Sequence, residues 1–265
     1  MSALTSVAST LSSNVNNVQN QIKDVQTQLS TGVKTMDAGQ VGTVTRLSSQ
    51  VTGYNAASAN ITQAQSAIAV AQTALSSIND LVTQMIDLAN KANNASLQDS
   101  DREKLDSTFQ SLATQITSIA DSADLNGINL LKSGAGNATY QTGITSSDTM
   151  DITAVSSDSA TLLIAGESVD TAANAASAIT ALKTALDTIS GNQSSLSADN
   201  AGFVAKGKTD AAIATQLQNS IDAITKPDQA KLQMDLQALN NQQSVDYYLI
   251  SQLNTESSAA MTIFR

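Results

Sequence analysis

Apolar residues recur along this chain at alternating three- and four-residue steps. Near the start, Leu4, Leu11, Val15, Val18, Ile22, Val25 and Leu29 share one phase. Near the finish, Leu232, Leu236, Leu239, Ile250, Leu253, Ala260 and Phe264 do the same, with Ile263 beside the last of them. Such spacing lays one narrow apolar stripe along each helix. A helix with a single stripe is marginal alone in water, so each stripe needs a partner. The stripes alone leave a bundle within one chain and assembly between chains equally open.

The pattern predicts helices over 3–31, 43–95, 171–224 and 228–262. In the second, Ile61, Ala64, Ile68, Ala71, Leu75, Ile78, Val82, Met85 and Ala89 keep strict three-four spacing. At 1.5 Å per residue that helix is roughly 80 Å long. A third helix opens on Ser100 and Glu103, read as a capping box with Asp101 adding favourable charge. It carries Leu105, Phe109, Leu112, Ile116 and Ile119, and it ends near Asn126-Gly127, where glycine suits a left-handed terminus. In the fourth, Leu182, Ile189, Leu196, Phe203, Leu217 and Ile224 share a heptad phase that Asp210 interrupts. The rod core is read as Ile61, Ile68, Leu75, Ile78, Val82, Met85, Leu105, Phe109, Leu112, Ile116, Leu182, Ile189, Leu196 and Phe203.

Between these helices the period changes. Residues 149–155 (TMDITAV) alternate apolar and polar, and 161–165 form a short apolar run. Strands and turns are predicted there, with a hairpin or two. The expected fold is mainly α: a long antiparallel coiled-coil or bundle rod with a small β-hairpin insert and paired terminal helices. Its parts are an N-terminal assembly helix and connector (1–42), rod helices (43–127), a β insert at the outer tip (128–178), a returning rod helix (179–226) and a C-terminal assembly helix (227–265).

Composition sharpens this picture. Aromatics are 3% of 265 residues and tryptophan is absent, so closely packed thin helices suit the chain better than one thick core. A net charge of −10 with no basic run argues against nucleic acid and anionic membranes as partners. With no histidine and no cysteine, His-based acid–base chemistry, thiolate nucleophiles and His or Cys metal sites are excluded. Asp99 with Asp101, and Asp121 with Asp124, are read as solvated charges at helix termini rather than catalytic pairs. No catalytic, metal or cofactor-binding residue is expected. No apolar run has the length of a membrane span, and the start lacks the pattern of a cleaved leader.

Four stretches then resemble bacterial flagellins. Residues 28–32 (QLSTG) are similar to the turn after the family's first helix, and 67–93 to its AQTAEGALSEI-type segment. Residues 100–102 (SDR) followed by 124–131 (DLNGINLL) are similar to its SDR…FNGxxLL pattern. Residues 260–265 (AMTIFR) resemble its apolar terminus ending in arginine. The resemblance covers nearly the whole chain. It implies a secreted, extracellular subunit of the flagellar filament, a homopolymer, exported unfolded and assembled through the terminal helices. Cap, junction proteins and an export chaperone are the implied partners. A hook–filament junction protein and a secreted coiled-coil binding protein are the alternative readings. The chain departs from the family at the start of its last helix, where the usual acidic segment is weakly echoed. It also departs at Ile86, Asp87 and Leu88, where Ile86 replaces a basic residue of the segment that animal receptors recognise.

Overall fold

The computed structural model describes residues 2–263. Five helices dominate: α1 (Ser2–Thr31), α2 (Ala38–Ala92), α3 (Asp99–Ser122), α4 (Ala172–Thr225) and α5 (Gln229–Ile263). Four short strands lie between α3 and α4: β1 (Asp124–Leu125), β2 (Ile128–Asn129), β3 (Ala138–Gln141) and β4 (Thr149–Ile152). They form two antiparallel two-stranded hairpins, β1 with β2 and β3 with β4. The long helices pack antiparallel, and the fold class is the mainly helical one expected.

Local chemistry explains where the helices begin and end. Pro227, the sole proline of the chain, separates α4 from α5, as its missing N–H and fixed ring require. The Asp228 carboxylate then accepts from the N–H groups of Ala230 and Lys231 at 3.0 and 3.1 Å, capping α5. Asp37 and Gln40 form a reciprocal capping box on α2. Gln40 N donates to Asp37 Oδ1 at 2.8 Å, and Asp37 N donates to Gln40 Oε1 at 3.2 Å.

Three sequence expectations need correction. Ser100 and Glu103 are not a capping box: α3 starts at Asp99, and its N-cap residue Gln98 makes no side-chain cap hydrogen bond. Its first turn is organised instead by Arg102, which reaches back to the end of α2. Asn126-Gly127 does not end α3, which stops at Ser122. The pair has φ of +55° and +84° and makes the two-residue turn of the β1–β2 hairpin, because asparagine and glycine tolerate two successive left-handed positions. Residues 161–165 form turns rather than a strand, since Asp158 captures the N–H groups of Ala160 and Thr161 that a ladder would need.

The chain divides into two compact units. The first is built from Met1–Ser49 and Gln216–Arg265, the second from Gln50–Thr215. The second unit holds the main core. Along α2 the buried residues are Ile61, Ala64, Ile68, Ala71, Leu75, Ile78, Val82, Met85 and Ala89, and Phe109 and Ile116 of α3 and Leu182, Ile189, Leu196 and Phe203 of α4 are buried with them. Leu112 is buried and Leu105 half-buried against the same cluster. Alanine between the larger residues lets helix backbones approach. Helix α4 runs antiparallel to α2, with Gly207 beside Ile61 and Gln72 Nε2 donating to Ser197 Oγ at 3.2 Å. The Tyr140 ring of β3 meets Phe203 of α4 edge-on, centroids 6.0 Å apart, which fastens the β3–β4 hairpin to the helix.

Candidate assembly surface

In the first unit, α1 and α5 lie against each other over much of their length. They run antiparallel: Leu11 neighbours Leu249 and Leu253, while Val25 neighbours Leu239. Gln19 Nε2 donates to the Tyr247 hydroxyl at 2.7 Å across the pair. Lys34 N, in the connector after α1, donates to Thr225 O at the end of α4 at 2.7 Å. Leu11, Val15 and Val18 are buried. Ile22, Val25, Leu29, Leu232, Leu236, Leu239, Ile250 and Leu253 are half-buried. Phe264 lies outside the described residues, as do the side chains of Leu4, Ala260 and Ile263.

A half-buried leucine seam is incomplete. Burying an apolar side chain fully gains about 1.5–3 kcal/mol over leaving it exposed, and most of this seam keeps part of that in reserve. The pair is open in two further places. A groove of about 660 Å³ is lined by Ser6, Val7, Thr10, Leu11 and Asn14 of α1 and by Tyr248, Leu249, Gln252, Leu253 and Glu256 of α5. A second, of about 370 Å³, lies among Gln21, Asp24, Val25, Asp235, Ala238 and Leu239. Val7, Met234, Val245, Tyr247, Tyr248 and Leu249 are all exposed. Tyr248 is 63% exposed, in a chain with only 4 tyrosines and 3 phenylalanines.

Charge is sparse around the larger groove, whereas Asp24 and Asp235 line the smaller one. Residues 2–22 contain no charged side chain, and residues 236–263 contain only Asp246 and Glu256. A helix pair kept soluble as a free surface ordinarily carries charge on its outer faces. A neutral, Ser-, Thr-, Asn- and Gln-rich face with exposed aromatic and aliphatic residues can be desolvated at small cost. Asp246 is buried, and its Oδ2 has no hydrogen-bond partner.

The second unit is fastened by polar residues that hydrophobic periodicity does not reveal. Arg102, 6% exposed, donates Nε to Ala92 O at 2.9 Å, Nη2 to Asn94 O at 2.8 Å and Nη1 to Asp99 Oδ1 at 2.7 Å. It thereby satisfies carbonyls at the end of α2 from the first turn of α3. Asn129 donates Nδ2 to Ala120 O and Asp121 O at 2.8 and 2.9 Å, and its Oδ1 accepts from Leu131 N and Lys132 N at 2.8 and 2.9 Å. Asp106 Oδ1 accepts from Val169 N at 2.7 Å and Ser168 Oγ at 2.9 Å. Burial pushes the Asp158 carboxyl up, but hydrogen bonds from Thr161 and Ala160 outweigh it and hold the group below the ordinary carboxylate value. Asp210, which breaks the heptad phase of α4, is 1% exposed and pairs with Lys206 at 2.5 Å. Ile86 and Leu88 are half-buried against the core, and Asp87 is exposed.

Among the described residues there is no group of three or more acidic side chains placed to hold a metal, and no helix is long and apolar enough to cross a membrane.

Comparison with known proteins agrees with this geometry. Residues 4–136 match the family described as the bacterial flagellin N-terminal helical region. Flagellin FljM of Caulobacter vibrioides is 31% identical over 264 residues, covering 95% of this chain and 94% of that one. A flagellin of Halalkalibacterium halodurans is 25% identical over 252 residues, covering 93% of each chain. Among solved structures, the crystal structure of Bacillus cereus flagellin is similar with a TM-score of 0.52 at 25% identity, covering 57% of this chain and 88% of that one. A putative flagellar hook-associated protein from Vibrio parahaemolyticus shares the fold, with a TM-score of 0.58 at 15% identity over 71% of this chain and 98% of that one.

Proposed function

The chain belongs to the bacterial flagellin family, and from that premise we propose that it polymerises into the flagellar filament through the α1–α5 pair. As a flagellin it is a structural, non-enzymatic protein whose place is the extracellular filament. The observation that carries the assembly reading is the unfinished burial of the pair. Its seam is half-buried beyond Leu11, Val15 and Val18, and its larger groove is lined by Val7, Leu11, Tyr248, Leu249 and Leu253 with Glu256 as the one charge. Further copies packed on these faces complete the burial, and tyrosines are favoured anchors for such contacts.

The seam residues Leu4, Leu11, Val15, Val18, Ile22, Val25, Leu29, Leu232, Leu236, Leu239, Ile250, Leu253, Ala260, Ile263 and Phe264 are assigned to assembly. The α2–α3–α4 core of the second unit is the folded body that they carry. Export as an unfolded chain and growth beneath a cap follow from the same reading. So do the junction proteins and chaperone as partners. Ordering cost at the termini is offset by burial between subunits.

Negative-stain electron microscopy of the purified chain, seeded with sheared filament fragments, tests the proposal. Long tubes of uniform diameter are expected. Persistently small, discrete species would instead assign the chain to a junction role or to a coiled-coil binding protein.

A further inference from the structure

Asn126-Gly127 is the sole Asn-Gly pair of the chain, and assembly does not call on the chemistry it carries. An asparagine followed by glycine is prone to deamidation. The Gly127 amide nitrogen attacks the carbonyl carbon of the Asn126 side chain, and the new C–N bond closes a five-membered imide. The Nδ2 group leaves as ammonia and carries off the amide proton. Water then opens the imide at one carbonyl or the other, giving aspartate or isoaspartate. Water is the only co-reactant. Glycine favours the attack because no Cβ crowds the nitrogen.

The fold holds the pair where this reaction is blocked. Asn126 and Gly127 have φ of +55° and +84°, and Leu125 pairs with Ile128 on either side of them, so the loop is a two-residue type I′ turn. Imide closure requires the Asn126 side chain to lie beside the Gly127 nitrogen. A type I′ turn sets the two nearly opposite each other across the Cα–C bond. Attack also requires Gly127 to give up its amide proton. That N–H donates to Asp124 Oδ1 at 3.0 Å, and a negative charge so close opposes an amide anion. The turn is pinned from the far strand as well. Asn129, opposite Asp124, bonds Ala120 O, Asp121 O, Leu131 N and Lys132 N, and Leu130 and Leu131 beyond it are buried. Asn126 and Gly127 themselves are exposed, so water reaches the pair and geometry alone protects it.

We propose that Asn126 is a site of spontaneous deamidation, kept latent in the folded chain by the β1–β2 hairpin and Asp124 and released when the turn opens. The product does not fit the turn. Isoaspartate adds one carbon to the main chain of a two-residue loop, so Leu125 and Ile128 lose their register and Asn129 is drawn from its four partners. Either product adds a carboxylate to a stretch that already holds Asp121 and Asp124. A chain kept unfolded is thereby marked, and a folded one is spared, whether or not the chain polymerises.

The full chain is incubated at mildly alkaline pH, in buffer and in concentrated guanidinium chloride. Peptides spanning residue 126 are followed by mass spectrometry for deamidation and for isoaspartate. Modification of Asn126 is expected over days in denaturant and at least about tenfold more slowly in buffer, because the turn reacts only in molecules where it has opened. Asp124→Ala is expected to raise the rate in buffer about tenfold, the scale of one hydrogen bond to a charged group, and to leave the rate in denaturant unchanged. Asp124→Asn, which keeps an accepting oxygen without the charge, should fall between. Amide exchange at Leu131 and Lys132 separates loss of the charge from general opening of the hairpin, and it is expected to stay as in the wild type. No modification of Asn126 in denaturant, or equal rates in denaturant and buffer, overturns the latent site. An unchanged rate for Asp124→Ala, or a rise matched by faster exchange at Leu131 and Lys132, overturns the part given to the Asp124 charge.

Discussion

Arg102 and Asn129 each serve two elements at once, and their substitution should cost more than their place in turns suggests. Arg102→Ala leaves the Ala92 carbonyl without its side-chain donor and the Asn94 carbonyl with the Leu97 amide alone. Asn129→Ala frees two carbonyls of α3 and two loop N–H groups together. Each should lower stability by roughly 1–3 kcal/mol in denaturant titrations, the range for stranded buried polar groups. Asp158 gives a pH signature. Its folded-state pKa is depressed below the ordinary carboxylate value, so its contribution is present above the unfolded-state pKa and is lost as pH falls through the depressed one. The stability gap between wild type and Asp158→Asn should be widest near neutrality and shrink in strong acid. A gap independent of pH would show that the carboxylate charge is immaterial. None of these roles was visible from hydrophobic spacing, because each depends on backbone groups brought close by the fold. Residues 100–102 and 124–131 drew notice as motifs, but the sequence does not say which carbonyls they meet.

At the scale of elements, three-four spacing located all five helices to within a few residues, because burial on one face of a helix leaves that trace directly. Turns were harder. Asn126-Gly127 was read as a helix end, although an Asn-Gly pair between short extended segments is a hairpin signal. The capping box was sought at Ser100, while the structure forms one at Asp37 and Gln40. In both places the flanking residues decide: short extended segments around Asn126-Gly127, and Gln40 three residues after Asp37. The apolar run at 161–165 misled for another reason: Leu162 and Ile164 are buried from within turns, and a run of this length does not distinguish turn from strand. Phe203 joins elements that the pattern treated separately. It belongs to the α4 seam and also receives Tyr140 from β3. Phe203→Ala should therefore cost about 3–5 kcal/mol and loosen the β3–β4 hairpin, seen as faster amide exchange at residues 138–141. Unchanged exchange there would confine the ring to packing within the helices.

At the scale of the molecule, the first unit is the part assigned to assembly and the second holds the main core. Deleting residues 2–31, or 229–263, removes one half of the α1–α5 pair. Either truncation should abolish polymerisation and leave the second unit's amide protection in place. Filaments from a truncated chain would show that the pair is dispensable. The pairing of chain ends was legible early, because two unsatisfied stripes stood at opposite termini. The half-burial that persists after they meet was not, since it depends on how closely two helices approach.

The first unit joins Met1–Ser49 to Gln216–Arg265, and this imposes an order in time. The whole second unit separates these two stretches along the chain. Residues 50–215 can fold without either stretch, since their contacts are made among themselves. The α1 helix has to wait for α5, and closing so long an intervening chain is slow. A chain whose second unit alone has folded therefore exposes a lone, unmatched stripe and lacks the paired surface on which copies would gather. The α1–α5 surface is thus the part of the fold that is completed last.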